Sequence, residues 1–178
     1  MTNKSLKAEP FIISVVATKS GTGKTTLIES MVRILKSRGY TVGVLKHNVH
    51  RLIMDKEGKD SYRFSDAGAD NVIVSSSTKL VMIKALKERE SVENIIKMFG
   101  NMDIIFIEGF KDNKFSKIEV HRRGVDTRLL MDSWDFNKDT FIALASDEAL
   151  DKCIPVLDLN DYEAIADFIE NIKMFQGR

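Results

Sequence analysis

The apolar positions of this chain follow two rhythms, unbroken runs and helical spacing, and together they sketch its elements. Phe11 to Ala17 is a nearly unbroken apolar run and reads as a strand. After a glycine-containing loop, Leu27, Ile28, Met31, Ile34 and Leu35 recur at helical spacing, with Glu29, Arg33 and Lys36 on the other side and Gly39 as the stop. Thr41 to Lys46 reads as a second strand. Strand, helix and strand within about forty residues make a βαβ unit with a right-handed crossover. That unit predicts an open α/β sheet with ligands at the C-terminal edge of its strands.

Farther on, Ser61 to Ala67 reads as a short helix ended by Gly68, and the runs 71–75 and 79–84 around a Ser-rich turn read as a hairpin. Ser91 caps a helix that repeats Val92, Ile95, Ile96 and Phe99, and Gly100 ends it. Asp103 to Glu108 is a buried strand closed by an acid and Gly109. Lys117–His121 is a shorter strand of alternating polarity, Thr140–Ala145 another apolar strand, and Pro155–Leu159 the last. Asn160 with Glu163 looks like a capping box for a final helix that buries Ile165, Phe168, Ile169 and Ile172. The chain shows no internal repeat or linker. The expectation is one domain over residues 10–175, a mostly parallel sheet flanked by helices with a β-hairpin insertion, after a disordered leader over 1–9.

The loop between the first strand and its helix carries the clearest chemistry. Thr18-Lys19-Ser20-Gly21-Thr22-Gly23-Lys24-Thr25-Thr26 has the arrangement of a phosphate-binding P-loop, with Thr18 where the first glycine usually stands. Backbone N–H groups of such a loop cradle phosphate oxygens, helped by the positive end of the helix dipole. Lys24 reaches the β- and γ-phosphates and the Thr25 hydroxyl ligates Mg²⁺. Gly21 and Gly23 let the backbone approach the phosphates closely.

Composition narrows the class without adding a site. The chain has 178 residues, 43% hydrophobic and 30% charged, with a net charge of +1. Such a balance carries no global bias toward nucleic acid or an anionic membrane. No apolar run approaches the roughly 20 residues of a membrane span. Met1 to Pro10 has basic residues but no apolar core after them, so no signal peptide is read there and a cytoplasmic protein is expected. The single Cys153 cannot form an internal disulfide and is expected to be a buried structural thiol.

Other side chains are candidates by position. Glu108 ends its strand on the edge that faces the phosphate loop, where a carboxylate holds Mg²⁺ directly or through water, whereas Asp103 lies on the wrong edge. The aperiodic stretch His47–Asp60 begins beside the phosphate site; Asp55 and Asp60 are further carboxylates for the metal or its waters, and Lys59 a point charge for a phosphate. His47 and His50 lack cysteine partners, which argues against structural zinc and leaves contact with an anionic ligand or plain solvation. Asp147 follows a strand near the sheet's end, placed to accept from guanine N1–H and the exocyclic amine. Arg122 and Arg123 form a basic pair suited to phosphate or carboxylate, or to solvent.

Taken together these stretches resemble the molybdopterin-guanine dinucleotide biosynthesis adaptor (MobB) family. The resemblance is carried by Ser-Gly-Thr-Gly-Lys-Thr-Thr-Leu (20–27), Leu-Lys-His (45–47), Asp-Lys-Glu-Gly-Lys-Asp-Ser-Tyr (55–62), Ala-Gly-Ala (67–69), Ile-Glu-Gly-Phe-Lys (107–111), Lys-Ile-Glu-Val (117–120) and Ala-Ser-Asp (145–147). It implies a P-loop GTP-binding protein with Mg²⁺, weak GTPase activity at most, and a homodimer that assists a separate guanylyltransferase joining GMP to molybdopterin. On that resemblance Ser20, Gly21, Thr22, Gly23, Lys24, Thr25 and Thr26 hold the triphosphate. Glu108 serves the metal and Asp147 the guanine. The basic residues of the 47–60 loop and Arg122 face the pterin phosphate or the partner. Lys19 occupies the place where dimeric P-loop proteins such as partition ATPases carry a lysine that reaches the partner's nucleotide, against an exposed loop lysine as the alternative.

Two other classes stay open at this level. One is an ATP-dependent small-molecule kinase or ligase, against which stands the lack of an Arg-rich lid segment and of an acceptor-activating base. The other is a nucleotide-switched dimer that organises an assembly with hydrolysis as its timer.

Overall fold

The computed structural model describes residues 9–47 and 56–176, so residues 1–8 of the leader, His50 and Asp55 lie outside the described residues. In chain order the elements are β1 (Phe11–Val16), α1 (Lys24–Ser37), β2 (Val42–Lys46), α2 (Asp60–Asp66), β3 (Asn71–Ser75), β4 (Leu80–Lys84), α3 (Val92–Lys97), β5 (Ile104–Glu108), β6 (Ser116–His121), a 3-10 turn (Lys138–Thr140), β7 (Phe141–Ser146), β8 (Val156–Asp158) and α4 (Tyr162–Gln176). They fall into two compact units, one drawn from Met1–His47 and Phe99–Arg178, the other from Asn48–Met98. No helix among the described residues is long and apolar enough to cross a membrane.

In the first unit the described strands form a six-stranded sheet in the order β2-β5-β1-β6-β7-β8. Every pairing in it is parallel. The two strands of the βαβ unit are therefore not neighbours: β5 lies between them. One face is covered by helices. Phe11, Ile13, Val15 and Ala17 of the first strand and its end pack with Leu27, Ile28, Met31 and Leu35 of α1 and Ile165, Ala166 and Ile169 of α4. Arg38, just past α1, holds α4 through Glu163, Asp167 and Glu170. Gly43 of β2 is required by packing, since a Cβ there would stand 2.7 Å from the ring of Phe99.

The other face is covered by irregular chain. Leu129, Leu130 and Met131 pack on Val16, Phe141 and Leu144, joined by Phe136, Leu150 and Ile154. The alternating polarity of β6 is turned inward here. Glu119 is fully buried and accepts from the backbone N–H groups of Leu130 at 2.6 Å and Met131 at 3.0 Å. Burial raises its carboxyl above the ordinary value, against the lowering by those two bonds. Lys117, also buried, donates to the carbonyls of Asn113 and Phe115 and to Thr140. His121 meets Glu148 at 2.7 Å. A register shift between Lys117 and Ile118 places Lys117 opposite Phe141 and Ile118 opposite Ala143.

Strands β5 and β6 lie on either side of β1, joined only by residues 109–115. A parallel connection normally takes a dozen or more residues and a helix. This short crossing is fastened to the sheet by Asn113, whose amide donates to Ser14 Oγ at 2.7 Å and to the Phe110 carbonyl.

Two expectations are corrected. The final helix is capped by Asp161, whose carboxylate accepts from Ala164 N at 3.0 Å, while Asn160 donates to Asp158 in the preceding turn. Cys153 is exposed rather than buried, because the run before Pro155 lies on the rim of the irregular layer and not in a strand.

The second unit holds α2, the antiparallel hairpin β3–β4 and α3. Ser76 closes the hairpin turn, its N–H donating to the Lys79 carbonyl at 2.8 Å and its hydroxyl accepting from Lys79 N at 3.0 Å. Ser91 caps α3 as its sequence suggests, accepting from Asn94 N. Val72 and Val92 are buried, while Ile73, Val74, Leu80, Val81 and Met82 stay exposed.

Candidate functional site

The loop of residues 18–23 leaves the end of β1 and feeds α1, which begins at Lys24 on Gly23. Gly23 offers no side chain as a cap and the first turn of α1 holds no acid. Those features leave the positive end of the helix dipole for an anion from outside the helix. Gly23 has φ +103°, a conformation open to glycine and costly for other residues.

Cationic side chains from different elements grip the loop's carbonyls. Lys24 Nζ donates to the carbonyl of Lys19 at 2.9 Å and lies 3.4 Å from Thr22 Oγ1. Lys111 Nζ, from the 109–115 crossing, donates to the Thr18 carbonyl at 3.2 Å. Arg122, just past β6, donates from Nε to the Thr22 carbonyl at 3.2 Å. A trans peptide points its N–H opposite its C=O, so the N–H groups of Lys19, Ser20 and Gly23 are directed away from these cations.

The strand order then supplies the carboxylate. Because β5 pairs with β1 in the register Val15↔Glu108, Glu108 stands beside the strand that launches the loop. Thr25 Oγ1 donates to Glu108 Oε1 at 3.0 Å, and Lys46, opposite Glu108 in β2, reaches the same oxygen at 3.3 Å. Asp103, at the other end of β5, bonds the backbone and hydroxyl of Thr41 instead. Lys24 has its pKa lowered, first by burial and then by the positive Lys111 and Lys46, against the opposing pull of Glu108.

Asp147 follows β7, with β6 between that strand and β1. Its Oδ1 accepts from Arg123 N at 2.7 Å and its Oδ2 lies 3.9 Å from Arg122 Nη1. It lines a cavity of about 330 Å³ with Ser146, Glu148, Asp158 and Asn160. Arg122 thus links the loop to Asp147. Lys19 turns to its own chain, donating to the Val125 carbonyl at 3.2 Å and standing 3.8 Å from Asp126. His47 places its ring 3.8 Å from that of Phe110. Lys59 and Asp60 belong to the second unit, where Lys59 precedes α2 and Asp60 pairs with Arg63 at 3.6 Å.

The sequence profile described as molybdopterin guanine dinucleotide synthesis protein B, MobB, matches residues 12–147. The chain belongs to the MobB family. It is 35% identical over 159 residues to the molybdopterin-guanine dinucleotide biosynthesis adapter protein of Escherichia coli, covering 84% of this chain and 86% of that one. It is 34% identical over 161 residues to the adapter protein of the same description from Haemophilus influenzae, covering 89% and 88%. Its fold is similar to a crystal structure of molybdopterin-guanine biosynthesis protein B (TM-score 0.72, 28% identity), over 90% of this chain and 99% of that one. The architecture is that of a P-loop NTPase-like α/β protein.

Two functional candidates, Lys46 and Lys111, are not singled out by the sequence. Lys46 and Lys111 were visible as the last residue of a strand and of the Glu-Gly-Phe-Lys motif, but neither placement implied a role. Arg122 is a sequence candidate for the pterin phosphate or the partner, and the structure adds its contact to the Thr22 carbonyl.

Proposed function

We propose that this chain binds GTP with Mg²⁺ at residues 18–26 and works as an adapter in molybdopterin guanine dinucleotide biosynthesis, assisting a partner guanylyltransferase. The observation that carries the nucleotide reading is the contact of 3.0 Å between Thr25 Oγ1 and Glu108 Oε1. A hydroxyl and a carboxylate are hard oxygen donors of the kind Mg²⁺ takes, with the remaining positions left to phosphate oxygens and water. Thr25 and Glu108 would hold the ion there, and it would supply positive charge against that of the triphosphate. Lys24 contributes a fixed positive charge, and the start of α1 contributes its dipole.

The guanine preference rests on Asp147. Each carboxylate oxygen has two acceptor sites, so the bond from Arg123 N leaves acceptors for the two donors of guanine. The adapter half of the reading comes from the relatives that carry that description over most of their length. In this reading the working form is a homodimer in the cytoplasm, with molybdopterin brought to the partner enzyme.

Calorimetry with GTP and ATP, with and without Mg²⁺, on wild type and Asp147→Ala tests the nucleotide half. The expected result is Mg²⁺-dependent binding with GTP favoured over ATP, and loss of that preference in the variant. Equal binding of both nucleotides by both proteins removes the guanine reading. Adding the chain to a guanylyltransferase assay tests the adapter half, which fails if the yield of molybdopterin guanine dinucleotide is unchanged.

A further inference from the structure

The crossing 109–115 does more than connect β5 to β6. Phe110 has φ 52°, the left-handed conformation that is uncommon for a bulky residue. Three contacts hold it there: Asn113 donates to its carbonyl, the same amide is anchored on Ser14 of β1, and the ring lies against His47. The turn so formed delivers the next residue, Lys111, to the phosphate loop, where its ammonium takes the Thr18 carbonyl. Lys24 takes the adjacent carbonyl, that of Lys19.

Two ammonium groups on neighbouring carbonyls repel each other. Lys46 adds a third positive charge on the shared carboxylate Glu108, and both Lys46 and Lys111 act on Lys24. Three lysines with one acid leave an excess of positive charge, which an anion with several charges would neutralise. Lys111 and Lys24 thus hold adjacent carbonyls of the loop, and a lysine in the place of Lys24 is the one that meets the β- and γ-phosphates in a P-loop.

We infer that Lys111 is a second phosphate-binding lysine of this site, contacting the terminal phosphate and so favouring nucleoside triphosphate over diphosphate. The inference rests on the nucleotide reading above. It is tested by titrating GTP and GDP, each with Mg²⁺, into wild type, Lys111→Met and Lys111→Arg. Methionine keeps most of the apolar stem and removes the charge. One charge-assisted hydrogen bond corresponds to about a tenfold or greater loss of GTP affinity in Lys111→Met. GDP affinity is expected to change less than about threefold, which also shows that the variant is folded, and Lys111→Arg is expected to regain part of the GTP affinity.

Wild-type affinity for GTP in Lys111→Met overturns the proposal, and so does an equal loss for GTP and GDP. Failure of the wild type to bind either nucleotide overturns the nucleotide reading and this inference with it, and is told apart by the wild-type titration alone.

Discussion

Gly23→Ala probes whether the loop's shape is imposed by its own backbone or by its neighbours. At φ +103° and ψ 9° an L-residue is strained by about 1–2 kcal/mol. The added Cβ would also lie 3.3 Å from Nη2 of Arg122, the far end of a flexible side chain that moves by a few tenths of an ångström. That movement loosens the bond from Arg122 Nε to the Thr22 carbonyl. Arg122 is 40% exposed, so solvent screening holds this second contribution to about 0–1 kcal/mol. The sum, about 1–3 kcal/mol, corresponds to a melting temperature lowered by about 2–12 °C for a protein of this size. Gly21→Ala is the control. It has φ +79° and a Cβ there meets nothing within 4 Å among the described residues, so only the strain remains. Thermal and urea unfolding of both variants, alone and combined with Arg122→Ala, separate the contributions in a double-mutant cycle. Gly23→Ala should couple to Arg122→Ala and Gly21→Ala should not. Wild-type stability in Gly23→Ala, or its full rescue by Arg122→Ala, would refute the strain argument.

Two further outcomes follow from the packing. Gly43→Ala puts a Cβ 2.7 Å from the Phe99 ring and should cost about 1–3 kcal/mol in urea unfolding; Phe99→Ala in the same chain should abolish that increment, and an unchanged increment would place the clash elsewhere. Glu119 binds its proton more tightly in the folded state than in the unfolded one, so its contribution to stability is complete below its ordinary value of 4.5 and declines as pH rises through its raised folded value. The advantage of wild type over Glu119→Gln in unfolding free energy should therefore be largest at the acid end and shrink with rising pH, and a difference independent of pH contradicts the burial argument.

Local physics made part of this protein legible from its residues alone. An apolar run, two glycines and Gly-Lys-Thr before a helical repeat are all decided within one stretch of backbone, and they marked the turn from β1 into α1. An acid closing an apolar strand marked Glu108, because chain direction already assigns strand ends to a sheet edge. Ser91 was readable as a cap for the same reason. Long-range neighbours were not. That β5 rather than β2 lies beside β1 is decided by sheet order, and it alone brings Thr25 and Glu108 to 3.0 Å across a separation of 83 residues. The sequence shows β6 only as a strand of alternating polarity, and its polar positions turn out to be buried, Glu119 under Leu130 and Met131, since alternation reveals two faces and not what covers them. Cys153 is exposed despite its apolar neighbours, because apolar neighbours in sequence do not guarantee a strand. The chain by itself determined the glycine-containing loop between β1 and α1 and the kind of sheet that holds it. Tertiary structure alone decided which cations meet that loop, because Lys46, Lys111 and Arg122 arrive from three separate segments whose convergence is a property of strand order and turn geometry.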